Sequence, residues 1–162
     1  MAARTSKNKQ QSGTPVIQNR RARHEYHIIE TLECGIQLTG TEVKSVRSGR
    51  VSLTEGYVRA SDMPLELTLH NVHIAEYPPA GPRQHLPTRE RRLLAHGREI
   101  RKFAGEARHK GTTIVPIKMY FSNNRVKLQI ALARGKRKHD KRHDIAKREA
   151  QRDVERALSR RR

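Results

Sequence analysis

The chain is poor in several things, and each shortage excludes a class of protein. One cysteine in 162 residues rules out an intramolecular disulfide framework and a cysteine-built zinc module. Tryptophan is absent, and Phe, Trp and Tyr together make up 4% of the chain. A membrane-surface helix would lack its usual aromatic anchors. No apolar stretch approaches the roughly 18–20 residues needed to cross a bilayer. The first residues, MAARTSKNKQQSG, have no apolar core of the kind a secretory signal needs. Hydrophobic residues are 34% of the chain, below the roughly 45–50% of an average soluble domain, so only a small core is possible. Acids are scarce too: 16 Asp and Glu face 35 Lys and Arg, a formal charge of +19. Like charges repel in a compact state, so such an excess points to a polyanionic partner. A cytosolic chain in a reducing compartment, with nucleic acid as its partner, is the expectation.

The charge is unevenly spread. Residues 1–25 carry a net +5, residues 26–133 a net +6, and the last 29 residues a net +8. This predicts a modest globular body between basic ends: a disordered basic arm over 1–18, a body over 19–133 and a basic tail over 134–162. The arm has almost nothing to bury. Directly before the first expected strand stands NRRARHEY, where Arg20, Arg21, Arg23 and His24 are held at the edge of a folded body. From there they can address phosphates with defined geometry.

The body reads mainly as strand. Tyr26, Ile28, Glu30 and Leu32 alternate with their neighbours, and the pattern restarts after Gly35. A short helix follows, with Thr41 as the expected N-cap and Gly49 as its stop. Val51 and Leu53 begin an extended run that Gly56 bends. Leu65, Leu67 and Leu69 alternate, and Val72 and Ile74 follow after a phase slip read as a bulge. The prolines of EYPPAGPRQHLP mark a loop. Thr88 is the expected cap of a second helix whose apolar stripe is Leu93, Leu94, Ile100, Phe103 and Ala104. Ile114, Val115, Ile117, Met119 and Phe121 form an extended run, Asn123-Asn124 suits a tight hairpin turn, and Val126, Leu128, Ile130 and Leu132 alternate with Lys127, Gln129, Ala131 and Ala133. The predicted fold class is mainly β: a small antiparallel oligonucleotide-binding (OB)-type barrel of about six strands with two or three short helices.

The tail changes character. It has no proline and no glycine after Gly135. Asp144 with Arg148, Glu149 with Arg152 and Asp153 with Arg156 sit at helical pairing distances. Ala146, Ala150, Val154 and Leu158 make a thin apolar seam. Arg148, Arg152 and Arg156 repel along one row, so the tail is expected to become helical when a polyanion neutralises it. A solvated tail serving only solubility is the plainer alternative.

No catalytic motif is present. His139 with His143, and His70 with His73, have helical spacing but no acid to complete a metalloprotease motif. GTEVKSVRSG lacks the Gly-Lys-Ser/Thr ending of a phosphate loop. Cys34 reads as a small buried filler. Glu33 is either a surface acid or an acceptor for base or sugar donors. No cofactor, no metal and no enzymatic activity are expected.

The stretches NRRARHEYHIIETLECGIQLTGTEVKSVRSGRVSL, PTRERRLLA and ARGKRKHDKRHDIAKREAQRD resemble the SsrA-binding protein (small protein B) family, in order and over nearly the whole chain beyond the N-terminal arm. That resemblance implies an OB-type barrel with a basic tail that works in trans-translation. Its partners would be the tRNA-like domain of transfer-messenger RNA, the rRNA of the small-subunit decoding centre and, indirectly, an elongation GTPase. It would act as a cytoplasmic monomer with no membrane. Asn19, Glu33, Leu93 and Lys127 fall on positions the family uses for transfer-messenger RNA, with Arg20, Arg21, Arg23 and His24 beside Asn19. Leu93 also suits the core. Gly135, Lys136, Arg137, His139, Asp140, Lys141, Arg142 and Leu158 fall on positions used at the decoding centre and in the empty message channel. A ribosomal structural protein and an RNA-processing nuclease are the alternatives from other classes.

Overall fold

The computed structural model describes residues 14–137, 140, 149–154 and 156. The elements, in chain order, are β1 (Ile17–Gln18), α1 (Arg20–Glu25), β2 (Tyr26–Ile36), α2 (Gly40–Arg47), β3 (Val51–Ser52), β4 (Tyr57–Asp62), β5 (Leu65–His70), β6 (His73–Ile74), β7 (Arg91–Leu94), α3 (Gly97–Ala107), β8 (Thr112–Ser122) and β9 (Arg125–Gly135). Every pairing is antiparallel. The ladder runs β8-β4-β5-β7-β2-β9 and returns to β8, so six strands close on themselves. The free length of β8 carries β1 beside β4, and β3 with β6 forms a separate two-stranded ribbon. The mainly β barrel expected from the pattern is what forms.

The barrel interior is the alternating residues of the sequence pattern. Leu67, Leu69, Val72, Ile74, Met119, Leu128 and Ile130 are fully buried, and Phe103 of α3 plugs one side. The β8–β9 hairpin turns on Asn123 and Asn124, at φ 49° and 59°, the left-handed values a two-residue turn demands. Gly56 sits where a Cβ would lie 2.5 Å from Val72 Cγ2 and 3.0 Å from Pro116 Cγ, so no larger residue fits that approach.

The structure corrects several local expectations. Thr39, not Thr41, is the N-cap of α2: its N–H donates to Glu42 Oε2 at 2.8 Å and its carbonyl receives Val43 N–H at 3.0 Å. Val72 follows no bulge; Asn71 turns the chain at φ 53° and His73–Ile74 leaves to pair with β3. The expected helix from Thr88 is instead β7, which fills the gap between β5 and β2. Its in-out alternation, with Arg91 and Leu93 buried and Arg92 and Leu94 exposed, has a period of two and cannot serve a helix. The helix starts at Gly97, capped by His96 with Glu99 Oε2 accepting the His96 N–H at 3.0 Å. At a first helical position Gly97 weakens little. The arm expected to end at 18 already joins the sheet at Ile17, and β9 runs to Gly135, two residues beyond the expected body. The arginine-rich stretch before β2 is itself helical, as α1.

Candidate nucleic-acid interface

Two clusters of motif residues behave in opposite ways. In the first, Glu42 of GTEVKS meets Arg89 and Arg91 of PTRERRLLA inside the molecule. Arg91 Nε and Arg89 Nε both donate to Glu42 Oε1 at 2.8 Å, and Arg89 Nη2 donates to Oε2 at 2.5 Å. Arg91 also donates to the carbonyls of Val72, Arg89 and Pro87, at 2.7, 2.9 and 2.9 Å. The side chains of Glu42 and Arg91 are both 0% exposed. Burial alone would raise the Glu42 carboxyl, but the two guanidiniums and the Thr39 N–H outweigh it and hold it down at about 2. These motif residues tie α2, β7 and the β5–β6 turn together, with Glu42 and Arg91 closed off from solvent and Arg89 at the rim. His85 adds to this join, with Nδ1 2.8 Å from Thr41 Oγ1 and Nε2 3.1 Å from the Ile74 carbonyl.

The second cluster is on the outside of the β8–β9–β2 wall. The hairpin register places Tyr120 opposite Lys127 and Lys118 opposite Gln129, while β2 places Glu33 opposite Gln129. The Tyr120 hydroxyl donates to Glu33 Oε2, and Lys127 Nζ lies 3.5 Å from Glu33 Oε1. Burial and the neighbouring carboxylate push the Tyr120 hydroxyl up, so it stays a donor. Lys118 Nζ sits 4.8 Å from the centre of the Tyr120 ring, a cation–π distance. The result is a polar strip of fixed donors and acceptors: Lys118, Tyr120, Glu33, Lys127 and Gln129.

Farther along the same face the outward residues become small or apolar. Ala131, Ala133, Val115 and Ile117 are buried there under Ala22 of α1. Alanine at 131 and 133 lets the helix settle directly on the sheet. Asn19 fixes how it sits. Its Oδ1 receives the Ala22 N–H at 3.1 Å, and its Nδ2 donates to the carbonyls of Leu53 and Pro116, both at 3.0 Å. At 4% exposure, both Nδ2 hydrogens and the Oδ1 of Asn19 are engaged in capping and anchoring α1. Arg20 and Arg23, three apart, then share one side of the helix and line a groove with Gln18, Ile117 and Lys118. Both are exposed, and among the described residues neither forms an ion pair. Arg21 faces away and is held at 2.7 Å by Glu25 and 2.8 Å by Glu55.

The expected site residues therefore separate. Arg20, Arg23, Glu33 and Lys127 share one outer face. Asn19 and Leu93 are buried, the latter at 2% exposure in the barrel interior. Cys34 is buried, donates Sγ–H to the Leu128 carbonyl at 3.2 Å, and has its thiol pushed up to about 12 by that burial. Gly135 closes the last pairing of β9 with Tyr26, and Lys136, Arg137 and Asp140 follow it at the root of the tail. His139, Lys141, Arg142 and Leu158 lie outside the described residues, as do the tail pairing of Asp144 with Arg148 and the pair of His139 with His143. The Asp153–Arg156 pair is present at 3.6 Å, and residues 149–154 are helical. Lys118, Tyr120 and Gln129 were not foreseen. The Asn-Asn turn carried the signal, because a two-residue hairpin pairs 122 with 125 and so 120 with 127 and 118 with 129.

A small closed antiparallel barrel, a cationic helix seated on one wall and a donor–acceptor strip beside it define a β-barrel protein of the polyanion-binding kind. No helix among the described residues is long and apolar enough to cross a membrane. The family model described as SmpB protein matches residues 16–160. A protein of Thermobifida fusca named SsrA-binding protein is 53% identical over 162 residues, covering 100% of both chains. Another so named, from Roseiflexus sp., is 53% identical over 147 residues, 90% of this chain and 92% of that protein. A solved chain described as "tmRNA-SmpB: a journey to the center of the bacterial ribosome" superposes with a TM-score of 0.65 at 44% identity, covering 81% of this chain and 94% of that one. The chain belongs to the SmpB protein family.

Proposed function

We propose that this chain is a trans-translation factor. It binds the tRNA-like domain of transfer-messenger RNA and delivers it to stalled bacterial ribosomes, where its tail reads the decoding centre and the empty message channel. Family membership supports the role, and the geometry supports the division of labour. The carrying observation is that Arg20, Arg23 and Lys118 line one groove beside the Glu33–Tyr120–Lys127 strip. Cations on a rigid helix neutralise phosphates and release counterions. The strip beside them offers hydrogen bonds to unpaired bases or ribose hydroxyls. Asn19 and Leu93 act at one remove, by holding α1 and the barrel wall in shape. Gly135, Lys136, Arg137, His139, Asp140, Lys141, Arg142 and Leu158 address the ribosome. The chain has no chemistry of its own; the ribosome forms the peptide bond and an elongation GTPase carries the complex in. It works in the cytoplasm.

Titration of the purified full chain with transfer-messenger RNA and, in parallel, with bulk cellular tRNA tests the reading. Strong preference for the former is expected, and equal affinity overturns it. Because β9 runs to Gly135, the informative truncation is after Arg137. It should keep RNA affinity and abolish tagging on stalled ribosomes. Equal loss of both would refute the separation of barrel and tail.

A further inference from the structure

The tail's first residues are not loose on the barrel. The Lys136 N–H donates to the Glu25 carbonyl at 2.8 Å, and Lys136 Nζ donates to the Arg23 carbonyl at 3.1 Å. Both acceptors belong to the last turn of α1, where helix carbonyls lack intrahelical partners and the dipole favours a cation. One turn on, Asp140 Oδ2 accepts the Arg137 N–H at 3.1 Å. Asp140 is helical, and this bond ties it back to the residue that follows the root of the tail. The same Oδ2 lies 3.7 Å from Nε2 of His27, which sits on β2 opposite Arg134, two residues beyond α1. Helix α1, the start of β2, the end of β9 and residues 136, 137 and 140 of the tail thus meet at one corner.

We infer that His27 is a positioning residue for the tail. It holds Asp140 while Lys136 closes the C-terminal end of α1, so the direction in which the tail leaves the barrel is set by the helix that carries Arg20 and Arg23. This rests on the proposed function for its consequence, though not for its geometry. RNA gripped by α1 and the path of the tail are then coupled, and losing the latch widens the range of directions the tail takes. The Asp140 carboxylate has two contacts, the Arg137 N–H within the tail and His27 on the body. Because the His27 and Asp140 side chains are about half exposed, the latch is weak and biases a population without locking it.

The test uses the full chain with Gln37→Cys and Gln151→Cys carrying paired spin labels; buried Cys34 takes none. Distances between labels are read in His27→Ala, in His27→Gln, whose amide is a polar partner of similar reach for Asp140, and in the parent. His27→Ala should broaden the distribution, and His27→Gln should restore it. Affinity for transfer-messenger RNA should stay within about twofold, while tagging on stalled ribosomes falls up to about fivefold, the weight of one exposed pair. An unchanged distribution in His27→Ala overturns the inference, and so does a loss of RNA affinity, which would make His27 an RNA contact. Should the parent itself show no preference for transfer-messenger RNA, the proposed function fails, yet the label distances in the free protein still decide the latch.

Discussion

Two arginine clusters look alike in the sequence, RRAR at 20–23 and RERR at 89–92, and the structure gives them opposite tasks. Arg89 and Arg91 converge on a buried carboxylate, and Arg91 itself is fully enclosed. Arg20 and Arg23 ride on a helix whose buried side is a single alanine and whose acid, Glu25, is engaged by Arg21. A cation's role is set by whether an acid is buried with it. Once Glu42 is inside, its arginines are structural. Where the only acids are at the rim, the remaining cations stay available for phosphate.

The largest effect should come from removing the shared acid. Glu42→Ala leaves Arg91 buried without its counter-charge and should cost about 3–5 kcal/mol of stability, measured by denaturant unfolding. If the loss were under about 1 kcal/mol, the two clusters would not differ as described. Acid sharpens the same contrast. The Glu42 carboxyl is held at about 2, below its ordinary 4.5. Its stabilisation is therefore complete above about pH 4.5 and disappears as pH falls through about 2. The stability gap between the parent and Glu42→Gln should narrow over that window. A gap that stays constant from pH 6 to pH 2 would contradict the ion pair.

On the outer cluster the effect moves from stability to binding. Arg20→Ala with Arg23→Ala should leave unfolding within about 0.5 kcal/mol of the parent, weaken RNA binding, and reduce the salt slope by about 1 per residue. An unchanged slope would remove α1 from the interface. Arg21→Ala is the internal control. With its guanidinium already held by Glu25 and Glu55, it should shift the slope least of all. A slope change as large as that of Arg20 would show that its ion pairs open on binding.

The alternation of β5, β8 and β9, the Asn-Asn turn, the loop prolines and the polarity of the ends were all legible in the residues, because each follows from local periodicity or backbone chemistry. So was the barrel class, since alternating strands must bury one face. The segment 91–94 was misread as helix because four residues hold too little period to choose, and its neighbours in space, β5 and β2, decided for strand. The candidate site was half legible. Arg20, Arg23, Glu33 and Lys127 carry charge that marks them in the sequence, whereas Tyr120 and Lys118 became part of it through strand register.

The sequence by itself determined the strand pattern, the hairpin and the separation of charge into body and ends, since these need only near neighbours along the chain. Tertiary structure alone decided which arginines are spent inside and which face out. It buried Asn19 and Leu93, and it brought His27 and Asp140 together across 113 residues of sequence. The physical reason is common to all of these: burial and pairing depend on what approaches from another strand, and closure of the barrel brings residues together that the linear order keeps apart.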